Sequence, residues 1–208
     1  MMRREPVFHV LLGALLATAV VGAAPFAVFA AEAAVSDWPT YMYDYSRAGS
    51  SPGKLRLPLD RAWTYVPSAP PQKAWADPGG RILEGKIVRD RVRYDDAFQV
   101  AVAGDRIYFG TSDHRLHCRH AQTGEPLWTF FTGGPIRLAP TVADGKVYFG
   151  SDDGFAYCLD AEDGREVWKR HIAPLDEWLI ARGVMISRWP VRTGVIVDGG
   201  IAYFGAGV

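Results

Sequence analysis

Residues 107–128 read IYFGTSDHRLHCRHAQTGEPLW, and forty residues later residues 147–168 read VYFGSDDGFAYCLDAEDGREVW. The two stretches align without a gap and share eight of 22 residues, one Cys and one Trp among them. A fixed-period repeat confines a chain to architectures in which each unit covers its neighbour, because no single unit buries its own apolar faces. Tyr-Phe-Gly occurs at 108–110, 148–150 and 203–205, at intervals of 40 and 55. Each copy follows a turn signal: Gly104-Asp105, Asp144-Gly145 or Asp198-Gly199-Gly200. Trp128 and Trp168 close the two full copies, and Trp63 in RAWTY closes an earlier, incomplete one.

Alternating apolar runs between these turns predict four short strands per copy. They fall at 100–103, 106–111, 115–120 and 126–131, then at 138–143, 146–151, 155–160 and 166–171. No apolar period of 3.6 persists over three turns, which argues against a helical solenoid. The 22 Gly, 14 Pro and 12% aromatic content suit short strands and tight turns. The spacing from a closing Trp to the next motif Tyr is 20 residues at Trp128–Tyr148, 35 at Trp168–Tyr203 and 45 at Trp63–Tyr108. Two insertions, near 66–97 and 174–194, account for the excess. The second is predicted to hold a helical turn around 176–182. Residues 31–60, rich in Tyr and Pro, are predicted to be irregular.

CLDAEDGREVW, at 158–168, resembles the tryptophan-docking motif A-x-D-x-x-T-G-x-x-x-W of PQQ-type β-propellers. CRHAQTGEPLW, at 118–128, is a looser match. Cys118 and Cys158 fall on the motif's Ala, and Gly124, Gly164, Trp128 and Trp168 match outright. Asp160 fits the Asp position and His120 does not; Thr123 fits the Thr position and Asp163 does not. The resemblance is to the quinoprotein alcohol dehydrogenase-like superfamily, including propellers similar to outer-membrane protein assembly factors. It implies an all-β fold, a β-propeller of four-stranded antiparallel blades, of which two to three are present. An eight-bladed ring needs roughly 320 residues at ~40 per blade, so the chain is expected to be the N-terminal part of a longer protein. Each Trp is expected to wedge between blades with its N–H on a backbone carbonyl. Each motif Gly is expected to supply positive φ. Cys118 and Cys158 sit at equivalent places in successive repeats. Neighbouring sheets lie roughly 10 Å apart and a disulfide needs Cα atoms within about 7 Å, so both are predicted to be unpaired core residues.

Arg3 and Arg4 precede an apolar run over 10–29, then Val28-Phe29-Ala30 followed by Ala31. That pattern predicts a secretory signal over residues 1–30 and an exported, periplasmic or envelope protein. The run also approaches the ~20 residues that span a bilayer, so a retained anchor is the alternative, and membrane association is expected only in that case. No Cys lies near it, which argues against lipoprotein processing. With 23 basic and 23 acidic residues the formal charge is zero, and no nucleic-acid partner is expected.

Candidate chemistry is sparse. Asp152 and Asp153 read first as turn residues, as does Asp113. His114, His117 and His120 recur along one strand, but alternation turns His117 away from the other two. The polar cluster Arg188, Trp189 and Arg192, beside Arg182 and joined by Arg137, falls in the connections between blades. Together with Asp152 and Asp153 it forms a candidate ligand-binding rim, suited to an anion or a peptide. The competing reading pins these arginines on nearby carboxylates, such as Asp176, Glu177 or a blade-turn Asp. The resemblance implies that true quinoprotein dehydrogenases hold their quinone with adjacent cysteines, a stacking Trp and a Ca²⁺ site of carboxylates and Asn. This sequence has no Cys-Cys pair and no Asn. The expectation is therefore a non-catalytic scaffold, without a cofactor, that binds a protein or another ligand through one rim. The alternative is a periplasmic oxidoreductase dependent on PQQ and calcium, with its cofactor site mostly beyond residue 208.

Overall fold

The structure, a computed structural model, describes residues 37–55, 57–72, 81–88, 97–181 and 183–207. These lie in the unit Ala33–Val208; the unit Met1–Glu32 and the expected export segment fall outside the described residues, as does Arg182. Fourteen strands are present and no helix occurs among the described residues. In chain order they are β1 (Arg81–Leu83), β2 (Lys86–Val88), β3 (Val100–Ala103), β4 (Arg106–Gly110), β5 (Arg115–His120), β6 (Pro126–Phe131) and β7 (Thr141–Ala143). Then follow β8 (Lys146–Gly150), β9 (Phe155–Asp160), β10 (Glu166–His171), β11 (Trp178–Ala181), β12 (Val184–Ser187), β13 (Ile196–Asp198) and β14 (Ile201–Tyr203).

Strands β3-β4-β5-β6 form one four-stranded antiparallel sheet and β7-β8-β9-β10 a second; these are blades 1 and 2. The pair β13–β14 opens a third, so the chain is an unclosed part of a propeller. Strand β7 starts three residues later than the predicted 138, because Pro140 has no N–H to give to the ladder. Equivalent bulges fall between Cys118 and Arg119 in blade 1 and between Glu166 and Trp168 in blade 2.

The inner strands β4, β5 and β9 are buried on both faces. Tyr108, Leu116 and Cys118 of blade 1 and Val147, Phe149, Tyr157 and Leu159 of blade 2 are at most 1% exposed and form one cluster with Ile136. Phe149 and Tyr157 stack at 5.1 Å with 3° between planes, and Phe130 meets both edge-on. The glycines of the first two Tyr-Phe-Gly copies make room for the next connection. A Cβ on Gly110 would stand 2.1 Å from Ile136 Cγ2, and one on Gly150 2.4 Å from Val191 Cγ1. Both cysteines are free and fully buried.

Both insertions contain β-hairpins. Strands β1 and β2 turn through Glu84 and Gly85 at φ 52° and 75°, and β11 and β12 turn beside Gly183 at φ 79°. The helical turn expected around 176–182 is therefore a strand. Trp178-Leu179-Ile180 favours the pleated state, and Gly183 supplies the tight turn that returns the chain to pair with it. Residues 37–55 and 57–72 hold turns and a single bridge, Trp38 with Val102.

Candidate functional site

The blade interfaces follow one rule. Trp63 Nε1 donates to the Ala121 carbonyl at 2.8 Å, and Trp128 Nε1 to the Ala161 carbonyl at 3.2 Å. In both cases the acceptor lies three residues before the next motif glycine. Gly124 and Gly164 have φ of 74° and 73°, as a turn of this kind requires. They also meet a steric demand: a Cβ would stand 2.5 Å from the Trp63 ring or 2.6 Å from the Trp128 ring. Tyr108 Oη and Arg106 Nη1 also donate to Ala161 O, which ties blade 1 to blade 2. Trp168 packs edge-on against Phe204 of the third blade. Asp160 Oδ1 accepts from the Glu162 amide and so shapes the motif turn.

Beyond the interfaces, the polar residues singled out in the sequence separate into two groups. Asp152 is fully buried and lies between two arginines. Arg192 donates through Nε to Oδ1 at 2.6 Å and through Nη2 to Oδ2 at 2.8 Å; Arg137 Nε donates to Oδ2 at 2.7 Å. The side chains are 4%, 8% and 1% exposed for Arg192, Arg137 and Asp152. Arg137 also donates to the carbonyl of Gln72. Asp152 sits on the turn between β8 and β9, whereas Arg137 leads into blade 2 and Arg192 into blade 3. The three form a brace that gathers successive connections onto one carboxylate. Arg137 and Arg192 are thus turned inward onto a blade-turn carboxylate.

Asp153 is also inward, at 2% exposure. It accepts from the Gly133 amide at 2.8 Å, the Phe155 amide at 3.0 Å and Tyr157 Oη at 2.5 Å. Burial first, and then this carboxylate, push the Tyr157 hydroxyl well above its ordinary pKa. Asp113 holds the matching place in blade 1, with Thr111 and Ser68 donating to it. Burial opposes its charge, but those hydrogen bonds and Arg115 hold its pKa below the usual range.

In the second group Arg188 faces outward and Trp189 is half-buried. Arg188 is 60% exposed and bonds Glu177 at 2.8 Å, closing the base of the hairpin β11–β12. Trp189 follows it; its backbone amide is held by Ser187 Oγ, while its buried Nε1 has no partner among the described residues. Across the hairpin Ile180 faces Met185 and Leu179 faces Ile186. Ile186 is 3% exposed and anchors the hairpin, whereas Trp178, Ile180 and Met185 are 44%, 75% and 60% exposed. Sequence reasoning missed this apolar face, because a helical turn would have scattered those side chains.

His117 is 6% exposed. Its Nε2 meets Tyr65 Oη at 3.3 Å, and its ring stacks on Phe109 at 5.1 Å. Burial, reinforced by Arg119, lowers its pKa to about 4, with Asp113 opposing. His120 accepts from the Thr123 amide in its own turn, and His114 takes φ 68° where blade 2 has Gly154. Among the described residues no group of three or more His, Cys, Asp or Glu is placed to hold a metal ion. Cys118 and Cys158 lie on separate blades and do not fit the adjacent pair that the resemblance associates with the quinone.

Antiparallel four-stranded blades, with Trp63 and Trp128 each docked on the motif glycine of the blade that follows, define a PQQ-type β-propeller protein. The family model described as outer membrane protein assembly factor BamB matches residues 60–202, and the chain belongs to that family. No curated protein matches the chain. Among solved structures, BamB from Moraxella catarrhalis is 19% identical over 51% of this chain and 29% of its own, with a TM-score of 0.41. The quinohemoprotein alcohol dehydrogenase ADHIIG from Pseudomonas putida HK5 is 31% identical over 40% of this chain and 14% of its own, with a TM-score of 0.34. A europium-containing methanol dehydrogenase is 13% identical over 54% of this chain and 26% of its own, with a TM-score of 0.35. The chain thus spans less than a third of the length of each.

Proposed function

We propose that the chain is part of an exported, non-catalytic scaffold that binds another protein through the rim carrying the hairpin β11–β12. The family's description, an outer-membrane protein assembly factor, suggests that the partner belongs to that assembly. The observation that carries the reading is the exposed face of Trp178, Ile180 and Met185 on a hairpin inserted between two otherwise tightly connected blades. A two-stranded hairpin is marginal by itself, and large exposed side chains grouped on it suit a protein contact. In this reading Arg188 and Trp189 are ligand contacts at the hairpin's base. Arg137, Asp152, Asp153 and Arg192 support them from beneath.

Co-purification of the whole protein from envelope extracts tests the proposal. Replacing Ile180 and Met185 together by Ser is expected to remove the outer-membrane assembly partner and leave the urea midpoint within the error of wild type. Retention of that partner at the wild-type level sinks the reading.

A further inference from the structure

We propose that the cleft between residues 37–45 and β7 binds a small organic cation, an ammonium group on an apolar body. The cleft measures about 560 Å³, within the ~300–1,000 Å³ of small-molecule sites, and it is separate from the hairpin rim. Its floor is fixed by a relay of hydroxyls. Thr40 donates to Thr141 at 2.8 Å and Thr141 to the Val195 carbonyl at 2.8 Å, so neither is left to recruit a ligand.

What remains to face a ligand is aromatic and anionic. Tyr43 and Tyr45 line the cleft, and Trp38 holds Tyr43 edge-on at 5.4 Å. Asp37 and Asp44 complete it. Asp37 Oδ1 accepts from the Gly104 amide at 2.8 Å; Asp44 Oδ1 accepts from Ser46 Oγ at 2.8 Å and the Ala48 amide at 3.1 Å. The amide of Ala48 and the hydroxyl of Ser46, with the backbone of Ser46 and Arg47, hold the Asp44 carboxyl below its ordinary pKa and so keep it charged. No Lys, Arg or His is among the described lining residues. Arg47, in the same segment, is committed to Thr40 Oγ1 and the Tyr41 carbonyl and lies over the Tyr41 ring. Two carboxylates and two phenol rings lining one cleft attract a cation by charge and by the ring quadrupole, and an apolar body fits against the rings. The same arrangement repels an anion.

Titration of the whole protein with n-butylammonium, tetramethylammonium and, as a control, butyrate tests this by calorimetry and ligand-observed NMR. Both cations are expected to bind saturably and butyrate is not. Asp37→Asn with Asp44→Asn keeps an acceptor oxygen for each tethering bond while removing both charges. A unit charge at 4 Å in water is worth about 1 kcal/mol, about fivefold per carboxylate, so the double variant should bind at least tenfold more weakly. Tyr45 is 45% exposed, so Tyr45→Ala is expected to fold and to bind severalfold more weakly; it decides the matter if the double variant unfolds. Absence of saturation by either cation, or wild-type affinity in a folded variant, overturns the proposal.

Discussion

Arg188 and Arg192 stand four residues apart in one connection, yet the structure assigns them opposite energetic roles. Arg188 is 60% exposed and its partner Glu177 41%. Replacing Arg188 by Ala should cost about 0.2–1 kcal/mol, the range for surface pairs. Arg192 is 4% exposed and donates to both oxygens of Asp152, which is 1% exposed. Breaking a buried pair by removing one partner costs roughly 3–5 kcal/mol. Arg192→Ala belongs at the lower end, about 3 kcal/mol, because Arg137 still neutralises Asp152. Asp152→Asn leaves two buried guanidinium groups around a neutral amide and should cost more, about 4–5 kcal/mol. Urea unfolding of the whole protein, followed by tryptophan fluorescence, measures all three on one scale. The reasoning fails if Arg192→Ala is no more destabilising than Arg188→Ala, or if Asp152→Asn is the mildest of the set.

Further outcomes follow from the docking geometry and the buried histidine. Trp128→Ala should cost roughly 3–5 kcal/mol as a large-to-small core change, and Trp178→Ala, 44% exposed, distinctly less in the same urea assay. Gly164→Ala should cost more than Gly145→Ala by about 1–3 kcal/mol. Both have positive φ, but only at Gly164 would the Cβ strike a ring, that of Trp128, whereas nothing lies within 4 Å of the Cβ built at Gly145. Because burial lowers the His117 pKa from 6.5 to about 4, folding favours the neutral ring and the unfolded chain takes up the proton first. His117's contribution is therefore complete above pH 6.5 and is lost as pH falls toward 4, by about 3 kcal/mol at the limit. His117→Phe should flatten the stability curve in that window.

The blades were legible because their information is local. Tight turns at Gly104, Asp144-Gly145 and Gly199-Gly200 fix each hairpin, and the inner strands are buried in runs, at 108–111, 116–118 and 156–159, because a neighbouring blade covers each face. The docking of Trp128 was equally legible as a need for a small residue and a carbonyl. The clash that forbids a Cβ at Gly164 was not, because it depends on a ring from the preceding blade. The hairpin β11–β12 escaped because Trp-Leu-Ile-Ala is too short an apolar run to distinguish helix from strand. The brace escaped because Arg192 meets a carboxylate forty residues earlier. One signal was present: Pro135-Ile136-Arg137 and Pro190-Val191-Arg192 are 55 residues apart, the same interval as Tyr148 and Tyr203. A side chain repeated in step with the blades belongs to the frame.

The proposal of a protein-binding rim is tested most directly by site-specific photocrosslinking in the intact envelope. A photoreactive residue at Ile180 or Met185, on the exposed hairpin face, is compared with one at Leu127 or Val167 on the outer strands β6 and β10, which are 44% and 46% exposed. The account predicts one discrete adduct with a component of outer-membrane protein assembly from the hairpin positions and none from the outer strands. Adducts of equal yield from all four positions, or from the outer strands alone, would contradict it.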